Sequence, residues 1–64
     1  MPEVVVYALA GRSVDQKRAL AKDITDAVVK NFGATAQQVT VSIVETPPDS
    51  KAKGGVLFSE MGGH

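Results

Sequence analysis

The second residue, Pro2, could act as an acid/base catalyst if Met1 is removed. Initiator methionine is readily trimmed before a small residue, and trimming would leave a secondary amine in a rigid ring. An α-amino group starts from a pKa of about 7.7 to 8.0, and burial or a nearby cation lowers it further, so this amine could accept a proton and return it. Pro2 could equally only protect the terminus or start a strand. With Met1 retained, its nitrogen is a tertiary amide without basicity.

Arg12 is the second residue whose type and position suggest chemistry, because it follows an apolar run and precedes a predicted helix. A guanidinium there can bind a carboxylate through two parallel hydrogen bonds, and the free amides of a helix N-terminus favour an anion nearby. The alternative is an arginine that is only solvated. We take Arg12 as a candidate contact for an anionic group.

Two lysines, Lys51 and Lys53, stand before the glycine pair Gly54 and Gly55. They could supply a second anion contact if this segment folds over a site. A charged segment beside glycines can also be merely solvated. We predict that residues 51–55 form a mobile loop.

Three further polar residues indicate less about the function. Tyr7 lies inside the first apolar run and is expected in the core with its hydroxyl hydrogen-bonded, rather than as a catalytic acid. Glu45 ends the second apolar run and is either an exposed cap or part of a site. His64 is the only histidine and belongs to a tail that Gly62 and Gly63 should leave flexible. No His, Asp or Glu set has metal-ligand spacing, so we expect neither a metal nor a cofactor.

The elements that position these residues begin with a strand. Residues 4–9 are mostly β-branched, aromatic or aliphatic, and Pro2 and Gly11 bound the run. This composition is typical of a strand buried on both faces.

A helix over Val14 to Phe32 is predicted next. Ser13 and Gln16 have the spacing of a capping box, and Gly33 can adopt the left-handed conformation of a C-cap. Charged residues, Lys17 among them, are expected mainly on other faces than the apolar stripe. That stripe consists of Leu20, Ile24, Ala27, Val28 and Phe32.

A second strand is predicted at residues 39–44, where Val39, Val41 and Ile43 alternate with Thr40, Ser42 and Val44. With a long helix between them, the two strands should be parallel and joined by a right-handed crossover. Residues 56–58 could add a short closing strand. The predicted fold class is α+β, built on one β-α-β unit with a short C-terminal strand or hairpin.

The composition indicates one globular domain spanning residues 1–64. The chain has 64 residues, 44% of them hydrophobic, and no cysteine. A chain of this size buries only about 60% of its unfolded surface, so its stability is marginal without further support. With disulfides and metals excluded, oligomerisation is the expected support.

The charge pattern excludes several classes of partner. Seven basic and seven acidic residues give a formal net charge of zero, and no basic stripe with interleaved aromatic residues is visible, so nucleic acid is not the expected partner. The longest apolar run, residues 4–10, is too short to span a bilayer or serve as a signal peptide. We expect a soluble cytoplasmic protein without membrane partners.

The joint spacing of several short motifs resembles the 4-oxalocrotonate tautomerase family over nearly the whole chain. These are Met-Pro at the start, Leu9-Ala10-Gly11-Arg12-Ser13 after a strand, Asp15-Gln16-Lys17 at the helix start, Val39-Thr40-Val41 in a strand ending at Glu45, and Gly54-Gly55 late in the chain.

The resemblance implies a β-α-β subunit that pairs into a four-stranded sheet with two helices, and three such dimers in a hexamer. It implies that Pro2 is the general acid/base that moves a proton in a small enol or unsaturated keto acid. It also implies that Arg12 binds the carboxylate or carbonyl of this substrate.

Two positions depart from the family pattern. Thr40 stands where the best-studied members carry a second arginine, supplied by a neighbouring subunit. Lys51-Ala52-Lys53 stands where they carry an aromatic residue before the glycine pair. Losing the arginine removes a group that stabilises developing charge, and Lys51 or Lys53 could replace it electrostatically without its fork geometry.

Two alternatives to a tautomerase follow from the same residues. One is a hydratase or dehalogenase of the same superfamily, in which Glu45 would activate water. The other is non-catalytic: either a subunit that needs a different paralogous chain to complete the sites of a mixed oligomer, or a binding module on the same scaffold.

Overall fold

The computed structural model describes residues 1–61. The predicted flexible tail of Gly62, Gly63 and His64 lies outside the described residues. Within them the chain forms a β-α-β unit followed by a short antiparallel hairpin, which confirms the predicted fold class. The elements are strand β1 (Glu3–Leu9), helix α1 (Val14–Phe32), strand β2 (Thr40–Thr46), and the hairpin strands β3 (Ala52–Lys53) and β4 (Val56–Leu57).

Helix α1 begins and ends where its local signals predict. The Gln16 amide donates to the Ser13 hydroxyl over 3.1 Å, and the Ser13 amide donates to Gln16 Oε1 over 2.9 Å. This capping box satisfies two amides that the first turn leaves free. Gly33 ends the helix at a φ of 73°, and its amide donates to the Val29 carbonyl. An L-residue with a side chain adopts that φ only at a cost.

Strands β1 and β2 are parallel, as predicted, and run in register from Glu3 opposite Thr40 to Leu9 opposite Thr46. Each strand pairs on one edge only within residues 1–61, which leaves the other edge free. Side chains of alternate residues lie towards α1, and that covered face holds Val4, Val6, Ala8, Val41, Ile43 and Glu45.

The other face of the sheet has no cover from its own chain. Val5 is 44% exposed, Tyr7 75% and Val44 43%. We call Val5, Tyr7 and Val44 the open sheet face. The prediction that β1 is buried on both faces is wrong for a single chain, and so is the prediction that Tyr7 lies in the core, because one helix covers only one face.

The segment predicted as a mobile loop forms a β-hairpin. Ala52 lies opposite Leu57, and the Phe58 amide donates to the Lys51 carbonyl over 2.8 Å. Gly54 and Gly55 form the turn with φ values of 62° and 83°. Positive φ at both central residues is what a tight two-residue hairpin turn of type I′ requires.

The single chain encloses no core of its own, since none of the described residues is buried. The chain exposes 4813 Å², whereas a compact protein of its mass would expose about 3,900 Å². Its radius of gyration is 15.2 Å, against about 11 Å for a compact chain of this length. No helix in the described part has the length and apolarity needed to cross a membrane.

Candidate functional site

Arg12 lies in a short loop that is fixed on both sides. Before it, the Ala10 amide donates to the Thr46 carbonyl over 2.9 Å, which extends the ladder past the end of β1. Gly11 then turns the chain at a φ of 131°, a conformation that favours glycine. After Arg12, the cap at Ser13 starts the helix. The backbone of Arg12 is therefore held in place at the carboxyl end of the sheet.

A cavity of about 380 Å³ opens beside Arg12, between the helix and the covered face of the sheet. Arg12 makes no ion pair or side-chain hydrogen bond with the rest of residues 1–61, so its donors are available to a ligand. The lining combines aliphatic and charged side chains, and it comprises Val6, Ala8, Leu9, Arg12, Lys17, Leu20, Ile43 and Glu45.

An ion pair between Lys17 and Glu45 lies in the wall of this cavity. Lys17 Nζ donates to Glu45 Oε1 over 2.7 Å, and the two side chains are 30% and 28% exposed. The helical pattern predicts Lys17 mainly on a polar face, and the strand pattern does not decide between an exposed cap and a site for Glu45. The spacing along the chain indicates that both residues face the cavity. Lys17 stands three residues before Leu20 on the apolar stripe, and Glu45 stands two residues after Ile43 on the covered face.

Pro2 lies at the opposite end of β1 from Arg12. Its carbonyl accepts a hydrogen bond from the Thr40 amide over 3.0 Å, which anchors the residue at the amino end of the sheet. Eight residues of extended chain separate Pro2 from Ala10, a span of about 26 Å. An arginine side chain bridges only a fraction of that distance. Within one chain, Pro2 and Arg12 therefore do not share a site.

The two lysines of the hairpin lie outside the cavity lining. Lys51 Nζ sits 5.8 Å from the centre of the Phe58 ring, within the range of a cation–π contact. Lys53 belongs to β3 next to the glycine turn. The structure thus brings neither lysine to Arg12 within a single chain.

In the described part of the chain, no group of three or more His, Cys, Asp or Glu side chains is placed to hold a metal ion. The cavity instead offers a free guanidinium, a paired ammonium and aliphatic walls. Such a set can bind an organic anion.

The sequence profile of the family described as Tautomerase enzyme matches residues 2–61. Among curated proteins, a probable tautomerase of Bradyrhizobium diazoefficiens is 45% identical over 60 residues, which cover 94% of this chain and 90% of that protein. The 2-hydroxymuconate tautomerase of Bacillus subtilis is 39% identical over 61 residues, covering 95% of this chain and 98% of the relative.

The fold has close counterparts among solved structures. A heterohexameric 4-oxalocrotonate tautomerase from Chloroflexus aurantiacus superimposes with a TM-score of 0.83 at 31% identity. The match covers 95% of this chain and 98% of that one. The likeness therefore extends over the β-α-β unit and the hairpin together.

Proposed function

This chain belongs to the tautomerase family, and on that premise we propose that it moves a proton within a small enol or unsaturated keto acid. In this proposal Met1 is removed, Pro2 is the general acid/base, and Arg12 of a second copy of the chain binds the substrate carboxylate. The observation that carries the proposal is the position of Pro2 and Arg12 at opposite ends of a strand with one free edge.

Antiparallel pairing of two β1 edges would bring these residues together. The middle residue of β1 is Val6, and pairing Val6 with Val6 across a twofold axis gives the longest ladder. In that register Pro2 of one copy lies opposite Ala10 of the other, two residues from Arg12. Both free β1 edges are then covered, and each dimer contains two equivalent sites.

The same pairing accounts for the predicted dimer architecture. Residues directly opposite each other in an antiparallel pair lie on the same face, so both α1 helices cover one face of a four-stranded sheet. The open sheet face of each dimer is left for contacts between dimers. A hexamer of three dimers, formed by identical or by mixed chains, would bury this face and supply the core that the single chain lacks.

The Val5→Asp variant should lose its oligomeric state and fold poorly. A carboxylate without a partner in a buried apolar interface costs about 3 kcal/mol or more, and the single chain has no core to compensate. Size-exclusion chromatography with light scattering measures the assembly, and far-UV circular dichroism measures the fold. Gln37→Glu adds the same charge at an exposed turn position and should remain oligomeric. A Val5→Asp protein of native mass would contradict this use of the open sheet face.

The proposed chemistry divides between the two groups. The neutral Pro2 amine takes a proton from the substrate, and the ammonium so formed returns it to another atom of the same molecule, so no proton is gained or lost overall. Arg12 fixes the carboxylate through two hydrogen bonds and thereby orients the carbon that is protonated.

Three residues are proposed as secondary contributors around Pro2. Thr40 has a neutral hydroxyl where the family pattern has an arginine supplied by a neighbouring subunit, so this position offers the site no second guanidinium. Lys51 and Lys53 remain candidates for a contact with the substrate anion from another subunit of the assembly. An ammonium on a flexible stem gives such a contact less geometric control than a guanidinium.

A partner-dependent subunit is the second candidate function. It is favoured by Thr40 and by the similarity to a chain of a heterohexameric relative. In such an assembly a different chain would supply the arginine that this one lacks. Ketonisation activity of the purified chain alone would argue against this candidate, and inactivity that a paralogous chain relieves would favour it.

The direct experiment compares the same protein with and without Met1. Ketonisation of phenylenolpyruvate should rise in proportion to the fraction of chains that intact-mass spectrometry shows to begin at Pro2. A retained Met1 converts the amine into an amide and should remove the activity, while both forms keep the same number of subunits. Equal activity in the two forms would contradict the proposed role of Pro2.

A further inference from the structure

We propose that the cavity beside Arg12 selects monocarboxylates with an apolar tail over dicarboxylates, and that Glu45 causes this selection by neutralising the charge of Lys17. This inference rests on the proposed function, since it names the substrate class of the same site. It is carried by the ion pair in the cavity wall and by the free guanidinium of Arg12.

The charges that line the cavity leave room for one anionic group. Arg12 and Lys17 are cationic and Glu45 is anionic, so their formal sum is one positive charge. The Lys17 ammonium already donates to Glu45 over 2.7 Å, and both side chains are more than two-thirds covered. A ligand carboxylate can therefore take Arg12 without displacing an existing partner, whereas a second carboxylate would compete with Glu45 for Lys17.

The remaining lining favours an apolar tail. The side chains of Val6, Ala8, Leu9, Leu20 and Ile43 supply the rest of the wall. Desolvating a second carboxylate against this surface is costly, while an alkyl or aryl group buried there gains free energy with the area removed from water. The Glu45 carboxylate adds direct repulsion of any second anion.

The test uses two saturated acids of equal length that the enzyme cannot turn over, hexanoate with one carboxylate and adipate with two. Their dissociation constants are measured by NMR titration of the methyl groups of Leu20 and Ile43 in the intact oligomer at neutral pH. The wild-type protein should bind hexanoate at least as tightly as adipate. Tighter binding of adipate by the wild type would overturn the proposal.

Glu45→Gln keeps the shape of the side chain and removes its charge. Lys17 then becomes available, and the affinity for adipate relative to hexanoate should rise roughly tenfold, the size of one added charge contact at a partly covered site. Lys17→Met should change the ratio in the opposite direction, because Glu45 is left without its partner. An unchanged ratio in both variants would mean that the pair is only structural, and the proposal would fail.

Asp26→Asn is the matched control. Asp26 accepts a hydrogen bond from Lys22 over 2.8 Å on an exposed face of α1, where the contact raises the pKa of Lys22. Breaking this pair removes the same kind of charge contact away from the cavity, so the ratio should stay at the wild-type value. These titrations need no catalysis. If the ligand affinities change as expected but Met1 removal does not affect turnover, only the proposed role of Pro2 is refuted. If Met1 removal affects turnover as expected but the ratio of adipate to hexanoate affinity does not change in the variants, only the proposed role of Glu45 is refuted.

Discussion

The Pro2→Ala variant, with Met1 fully removed, should ketonise phenylenolpyruvate about a hundredfold or more slowly than the wild type. Alanine keeps a terminal amine but loses the ring that fixes its direction, so proton transfer loses its geometry. The rate of enol disappearance, followed by ultraviolet absorbance, measures the effect.

Two checks make the Pro2→Ala result specific. Alanine is small enough for Met1 to be trimmed before it, and intact mass must show this for both proteins. Native mass must show that the assembly is unchanged, because Pro2 also anchors the sheet through its carbonyl contact with Thr40. Wild-type turnover by a trimmed, fully assembled Pro2→Ala protein would contradict the general acid/base role.

Arg12→Ala should lower kcat/KM for the same substrate by about a hundredfold, mainly through a higher KM. The guanidinium is free of partners within residues 1–61, so its removal leaves no other described group unpaired. Arg18→Ala provides the matched control, since Arg18 pairs with Asp15 on an exposed part of the helix. That variant should retain its kinetics, and an equal loss in both variants would show that Arg12 acts through general charge alone.

Features that depend on neighbouring residues in the chain were predictable from the sequence. The helix bounds follow from the Ser13 and Gln16 capping box and from Gly33, because these signals act within one helical turn. The parallel pairing of β1 and β2 follows from the length of the helix between them. The short C-terminal strand or hairpin was predicted and is confirmed, although residues 51–55 were expected to form a loop and instead include β3 and the glycine turn.

Features that depend on burial were harder to predict. Tyr7 was expected in the core because an apolar run normally has cover on both faces, yet one helix leaves the open sheet face bare. The pair formed by Lys17 and Glu45 was missed because its members lie 28 residues apart and belong to different elements. Charge alone suggested a polar face for Lys17 and did not decide between an exposed cap and a site for Glu45, whereas their periodic positions matched the covered face. The roles of Pro2, Arg12, Lys51 and Lys53 remain predictions.

The shared site can be tested most directly by subunit complementation. Pro2→Ala and Arg12→Ala chains are unfolded together in equal amounts, refolded into mixed assemblies, and assayed with phenylenolpyruvate. If each site takes Pro2 from one copy and Arg12 from another, random pairing of the two variants leaves both groups intact in about a quarter of the sites. Activity should then return to about a quarter of the wild-type value. Activity that stays at the level of the separate variants would mean that both groups act within one chain, and would contradict the proposed site.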